Sequence, residues 1–270
     1  MHSVITSIRS GLLYSNVIVT VAAATMAFRT FRLAGLAVDP WVISLIAAAT
    51  LAVYALHSLT PDERPGSARD VWNRRARTFH RLCLTASLII ILLLFPKIIG
   101  HVIVFLPAVL LTGYYMSATI LKFPIHGKTL VLALTWTYAT MLMPLLMSVH
   151  HIDWQIMLPE SVLEFIYIYL ICLFFDHRDA SVDEPRHWTF RTPKRICAVI
   201  LVTAIAFTMV LAWAWVAGVP YQWLIVKSLL MIFLTGTSDY SLRNSSDGWY
   251  YGVLDGMLAF DALCLCCLMD

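Results

Sequence analysis

Apolar positions in this chain gather into nine long windows parted by short polar stretches, near 12–28, 40–57, 82–96, 98–116, 129–149, 160–176, 196–217, 221–237 and 249–269. An α-helix needs roughly 20 apolar residues to cross a hydrocarbon core about 30 Å thick. The pattern therefore predicts an all-α integral membrane protein with nine transmembrane helices. Windows three and four meet at Pro96-Lys97, and windows seven and eight at Gly218-Val219-Pro220. Such tight turns suit antiparallel neighbours. No low-complexity tract or soluble domain interrupts the series, so residues 1–270 read as a single domain.

Composition strengthens this picture. The 270 residues are 60% hydrophobic and 13% charged, with a mean hydropathy of +0.79, far from the balance of a soluble domain. The net charge of +3 matters less than its distribution. With nine helices, the N-terminus and the loops after helices two, four, six and eight share one face. That face collects fifteen cations, from Arg9, the Arg64–Arg81 stretch, Lys122, Lys128, the Arg178–Arg195 stretch and Arg243. The other face has Arg29, Arg32 and Lys97, and Lys227 lies inside helix eight. This positive-inside bias makes the cation-rich face cytoplasmic, as in a bacterial inner membrane. The start has the outline of a signal peptide, but Ser15 and Asn16 within the first helix, and its flow into Arg29, favour a retained span. Six cysteines sit in or beside helices without a C-x-x-C pair and read as packing residues.

Charge density then locates the candidate chemistry. Two long charged connections, 58–81 and 176–195, lie on the cation-rich side. The second opens with Asp176-His-Arg-Asp179-Ala-Ser-Val-Asp183. In a continuing helix, offsets of 0, 3 and 7 residues put the three carboxylates on one stripe. Such a stripe needs something positive between its charges, and Mg²⁺ shared with a diphosphate suits oxygen donors. The alternative is a solvated helix end balanced by Arg178, Arg186 and Arg191. The first connection offers Asp62, Glu63 and Asp70 after His57, although Pro61 and Pro65 account for much of it as a turn. Lys122 and Lys128 could offset diphosphate charge or simply be positive-inside lysines. Asp255, Asp261 and Lys227 fall within membrane windows, where charges face a cavity or pair. Asp255 is within reach of a cavity on the cation-rich side, and Lys227, nearer the opposite face, could snorkel or pair with Asp261. The many aromatic residues are packing or interfacial in the first instance, and some could line an isoprenoid pocket.

Together these features resemble the UbiA superfamily of intramembrane prenyltransferases, which has nine helices and two aspartate-rich motifs after helices two and six. The segment Phe174-Phe175-Asp176 through Asp183 resembles the second motif. Ser15-Asn16, Leu121-Lys122, Lys128, Trp136, Pro144 and the Tyr250–Met257 stretch add to the likeness. The first motif departs from the family pattern, with His57, Ser58, Pro61 and Pro65 in the simplest register and Asp62 and Glu63 one or two positions late.

The resemblance implies a helical bundle around a central cavity. In it Asp176, Asp179, Asp183, Asp62 and Glu63 would hold Mg²⁺, while Asn16, His57, Lys122, Lys128, Arg178 and Asp255 would bind an isoprenyl diphosphate. The partners implied are that substrate and the lipid bilayer, with no nucleic acid. Transfer of the prenyl group to an acceptor is the leading expectation, and the altered first motif makes terpene cyclisation the alternative. A non-catalytic lipid-binding relative, or a transporter with Asp255, Asp261 and Lys227 along a path, completes the set. No histidine clusters suit a membrane di-iron oxidase.

Overall fold

The computed structural model describes residues 11, 14–60, 66–121, 127–148, 152–179, 193–243 and 246–267. Among the described residues every regular element is helical. The elements are α1 (Val17–Leu33), α2 (Pro40–Leu59), α3 (Ala68–Arg75), α4 (Arg77–Ile98), α5 (Val102–Leu121), α6 (Lys128–Met147), α7 (Trp154–Asp179), α8 (Pro193–Val216), α9 (Tyr221–Gly236), α10 (Ser238–Arg243) and α11 (Asp255–Cys267). A π turn over Gly248–Leu254 leads into α11, and a second, Tyr138–Leu142, interrupts α6.

Each apolar window falls on a helix. Six of these, α2, α4, α6, α7, α8 and the helix that includes α5, are long and apolar enough to cross a membrane. α1 and α9 have 17 and 16 residues and fall short of that length. The outer surface is apolar: Leu93 is 73% exposed, Ile103 85% and Val216 83%. An apolar exterior on this scale requires a non-aqueous surrounding, so the chain is compatible with an integral membrane protein.

Local signals explain several boundaries. The Asp39 carboxylate accepts the Trp41 N–H at 2.9 Å and Pro40 opens α2, a capped start. Within the first charged connection, Ser67 Oγ accepts the Asp70 N–H at 3.1 Å while Asp70 accepts the Gly66 N–H at 2.7 Å. This reciprocal cap starts α3 inside a stretch that reads as a loop. Gly218, at φ +87, lets the Val219 N–H reach the Ala214 carbonyl at 3.0 Å, closing α8 and turning the chain into α9. Those two helices pack together as the short turn predicts. Pro96 behaves differently: α4 continues through it to Ile98, and a 3₁₀ turn over Ile99–His101 leads into α5. α4 packs chiefly on α2, and α5 on α6.

Two boundaries correct the hydropathy reading. α1 runs beyond Arg29 to Leu33, and α7 begins at Trp154, six residues before the apolar window at 160–176. Arg29 is therefore not a loop cation but a fully buried helix residue. It survives there because its charge is met by carboxylates from other helices. Followed by contact, the helices run in the order α4, α2, α1, α11, α9, α8, α7, α6, α5. α7 is the most enclosed of the membrane-length helices. A cavity lies between α1, α2, α4, α5, α6, α7 and α11.

Candidate functional site

The cavity has a volume of about 860 Å³ and is largely apolar, with a polar collar at one end. The collar forms because five elements turn there: α1, α6 and α11 begin, and α2 and α7 end. They bring Asn16, His57, Lys128, Asp176, Arg178 and Asp255 to a single wall, joined by Arg69 of α3 and by Tyr251. Six of the candidate residues read from the sequence thus share one site. Asp179 is the final residue of α7, one turn beyond Asp176. Asp62, Glu63, Lys122 and Asp183 lie outside the described residues.

Tyr251 organises the cationic half. Its hydroxyl oxygen accepts from Arg69 Nη1 at 2.9 Å and from Arg178 Nη2 at 3.0 Å. Arg69 Nη2 also donates to His57 Nδ1 at 3.1 Å, tying α3 to the end of α2. The Arg178 guanidinium lies 4.5 Å from the Tyr250 ring centroid and 4.8 Å from that of Tyr251, so aromatic faces fix its plane. Asp247 accepts from the Tyr14 hydroxyl at 2.7 Å and stands 3.9 Å from Arg178. Two guanidiniums directed by one phenol, with Lys128 in the same wall, make a fork suited to a phosphate or diphosphate group.

Replacing Tyr251 by Phe removes the shared acceptor while keeping the ring. We expect affinity for inorganic pyrophosphate, measured by calorimetry in detergent, to fall about tenfold, the worth of a charge-assisted hydrogen bond or two. Unchanged affinity would remove Tyr251 from this role.

The acidic half is carried by Asp176, which accepts from Thr129 Oγ1 at 3.1 Å, and by Asp255 at the start of α11. A carboxylate such as Asp176 is a hard oxygen donor of the kind Mg²⁺ takes beside a diphosphate. Among the described residues no three His, Cys, Asp or Glu side chains gather into a metal-binding group.

Asn16 has the sole positive φ (63°) of a non-glycine among the described residues. Asn tolerates the left-handed region better than most side chains. The bend delivers its amide Nδ2 to Ser58 Oγ at 3.1 Å across the top of the cavity. Deeper in, the walls are aromatic and aliphatic. Tyr54 and Trp136 meet edge to face at 6.4 Å, with Leu45, Ile46, Phe105 and Met143 beyond them. Thr140, from one π turn, and Tyr251, from the other, both line the cavity. π turns often accompany functional sites because they bend side chains off the regular helical register.

Two contributors escape a sequence reading. Arg69 looks like one more cation in an arginine-rich connection, and the Ser67-to-Asp70 cap is the signal that would have put it on a helix. Tyr251 falls in the Tyr250–Met257 stretch that adds to the family likeness, but nothing in the sequence gives its hydroxyl a role. The fold and site together define a helical bundle with an apolar exterior, and a collar of cationic and acidic side chains at an apolar cavity. No family model, curated protein or solved structure matches the chain.

Proposed function

We propose that the chain is a nine-span, UbiA-type membrane enzyme that ionises an isoprenyl diphosphate and transfers its prenyl group to an acceptor. One observation carries the reading: a single cavity joins the Arg69, Arg178, Lys128 and Asp176 collar to a long apolar, aromatic interior. A molecule that fits both halves has a polyanionic head and a hydrocarbon tail.

On this reading Arg69, Arg178 and Lys128 hold the diphosphate, and His57 and Tyr251 keep Arg69 in place. The allylic C–O bond breaks and both electrons stay with the diphosphate oxygen. The three cations stabilise that developing charge more in the transition state than in the ground state, which is where rate enhancement comes from. The carbocation left behind lies against Trp136, Tyr54 and Phe175, whose π faces stabilise it, in a largely apolar chamber. An acceptor then bonds to the cation and sheds a proton. Mg²⁺, held by Asp176 and Asp179 with acids of the two charged connections, would supply further neutralisation of the leaving group.

A second reading is cyclisation, in which the substrate's own double bonds capture the cation. The departure of the first acidic motif, with Pro61 and Pro65 in its register, favours it, and the Tyr54–Trp136 pair would serve either fate of the cation.

The deciding experiment incubates detergent-purified protein with geranyl, farnesyl or geranylgeranyl diphosphate and Mg²⁺, following pyrophosphate release. Release only when an aromatic or lipid acceptor is added is expected for transfer. Release with a cyclic hydrocarbon or alcohol and no acceptor indicates the cyclase. Binding of all three without any release sinks both enzyme readings and leaves a lipid-binding protein.

A further inference from the structure

Away from the collar, five ionisable side chains meet inside the helix bundle. Arg29 of α1, Glu160 and Glu164 of α7, Lys227 of α9 and Asp261 of α11 are each fully buried. Glu164 Oε2 accepts from Arg29 Nη2 at 2.8 Å and from Lys227 Nζ. Asp261 Oδ2 accepts from Lys227 Nζ at 2.7 Å and from Arg29 Nη1. The two cations are thus each bridged to the same two carboxylate oxygens. Glu160 is different: Oε1 stands 3.8 Å from both Arg29 Nη2 and Lys227 Nζ, and neither of its oxygens has a hydrogen-bond partner. The other neighbours are Tyr167 of α7, whose ring lies 5.3 Å from Lys227 Nζ, Met141 of α6, 3.7 Å from Arg29 Nη2, and the Trp223 ring of α9.

Three carboxyls face two permanent cations, which leaves one excess negative charge if all are ionised. An uncompensated charge inside a bundle surrounded by lipid is among the most expensive arrangements a protein can adopt. One bound positive charge would remove it. No metal-binding group of three His, Cys, Asp or Glu side chains exists among the described residues, and the two cations already fill the centre. We propose that this cluster is a proton-binding site, with the proton on Glu160. Glu164 and Asp261 each accept two charge-assisted bonds that hold them ionised, whereas Glu160 accepts none. Glu164 Oε1 and Asp261 Oδ1, in the same cluster, also have no hydrogen-bond partner. The cluster is then neutral and joins four helices without net charge. The proposal is independent of the prenyl-transfer reading, since none of the five side chains lines the cavity.

Infrared spectroscopy of the purified protein in detergent tests it directly. At pH 7 the parent is expected to show a protonated-carboxyl C=O band that Glu160→Gln lacks. That variant, a neutral isostere, is expected to melt within about 2 °C of the parent. Glu164→Gln removes one negative charge, so Glu160 gives up its proton and the same band disappears although Glu160 is still present. A merely structural Glu160 does not predict that loss. Absence of the band in the parent overturns the proposal. So does a fall in melting temperature of about 10 °C or more for Glu160→Gln, or its failure to fold, because an ionised Glu160 paired with both cations would be missed.

Discussion

On the proposed reading, Asp176→Asn is expected to lower pyrophosphate release about 10³-fold, while the protein folds and binds detergent as before. The amide keeps an oxygen for the Thr129 hydroxyl, which donates to Asp176 Oδ2 at 3.1 Å. What disappears is one negative charge at the collar, beside Arg178 and Lys128. On the proposed reading Asp176 acts on the leaving group through the divalent cation it would help to hold, and losing such charge stabilisation costs on the order of 10²–10³ in rate. Asp179→Ala, one turn further along α7, is expected to behave alike. The assay is a single-turnover measurement with saturating diphosphate. If Asp176→Asn retains a tenth of the parent rate, the acidic half of the site has been misassigned.

The second large effect lies in the bundle interior. Arg29→Met leaves three carboxyls facing Lys227 alone, and breaking a buried ionic network by deleting one partner costs about 3–5 kcal/mol. For a chain of this size a fall of about 10 °C in melting temperature is expected. Pairing it with Glu164→Gln restores the balance of charge and recovers part of the loss, a coupling visible in a double-mutant cycle. Additive losses in the two single variants and the double would show that the ion pairs do not hold the helices together.

These cases mark how far the sequence carries. Helix positions were legible because hydropathy is a local property: nine apolar windows land on nine helical stretches. Their ends were less so. A window that stops at the charge of Arg29 cannot know that Asp261, 232 residues away, accepts from it. Glu160 and Glu164 likewise gave no signal beyond two acids in an apolar run. At the site, Asp176, Arg178 and Lys128 were legible because helix ends on one face of a bundle must converge. Asp255 was legible because a lone acid in an apolar helix needs a cavity or a partner. The Lys227–Asp261 pair expected from the sequence is present at 2.7 Å. Arg69 and Tyr251 were not legible, since their importance is a shared hydrogen bond spanning 182 residues. The reading of 58–81 as a plain loop missed α3 for a related reason: the Ser67 cap is a local signal, but it sits among arginines that mask it.

The π turn in α6 has a consequence for how this wall can vary. A π turn amounts to one residue spliced into an α-helix, and each α-helical residue advances the chain by about 100°. Deleting a single residue from Tyr138–Leu142 would leave a smooth helix with both flanks close to their present phase, because the wider turn spreads one rotation over an extra residue. Lys128, Thr129 and Trp136 on one side and Pro144 on the other would keep their faces. The change would fall on Thr140, which lines the cavity from within the turn. The segment works as a splice. A one-residue gap elsewhere in α6 would turn the far part of the helix by about 100°, whereas a gap within the splice would alter the wall only locally.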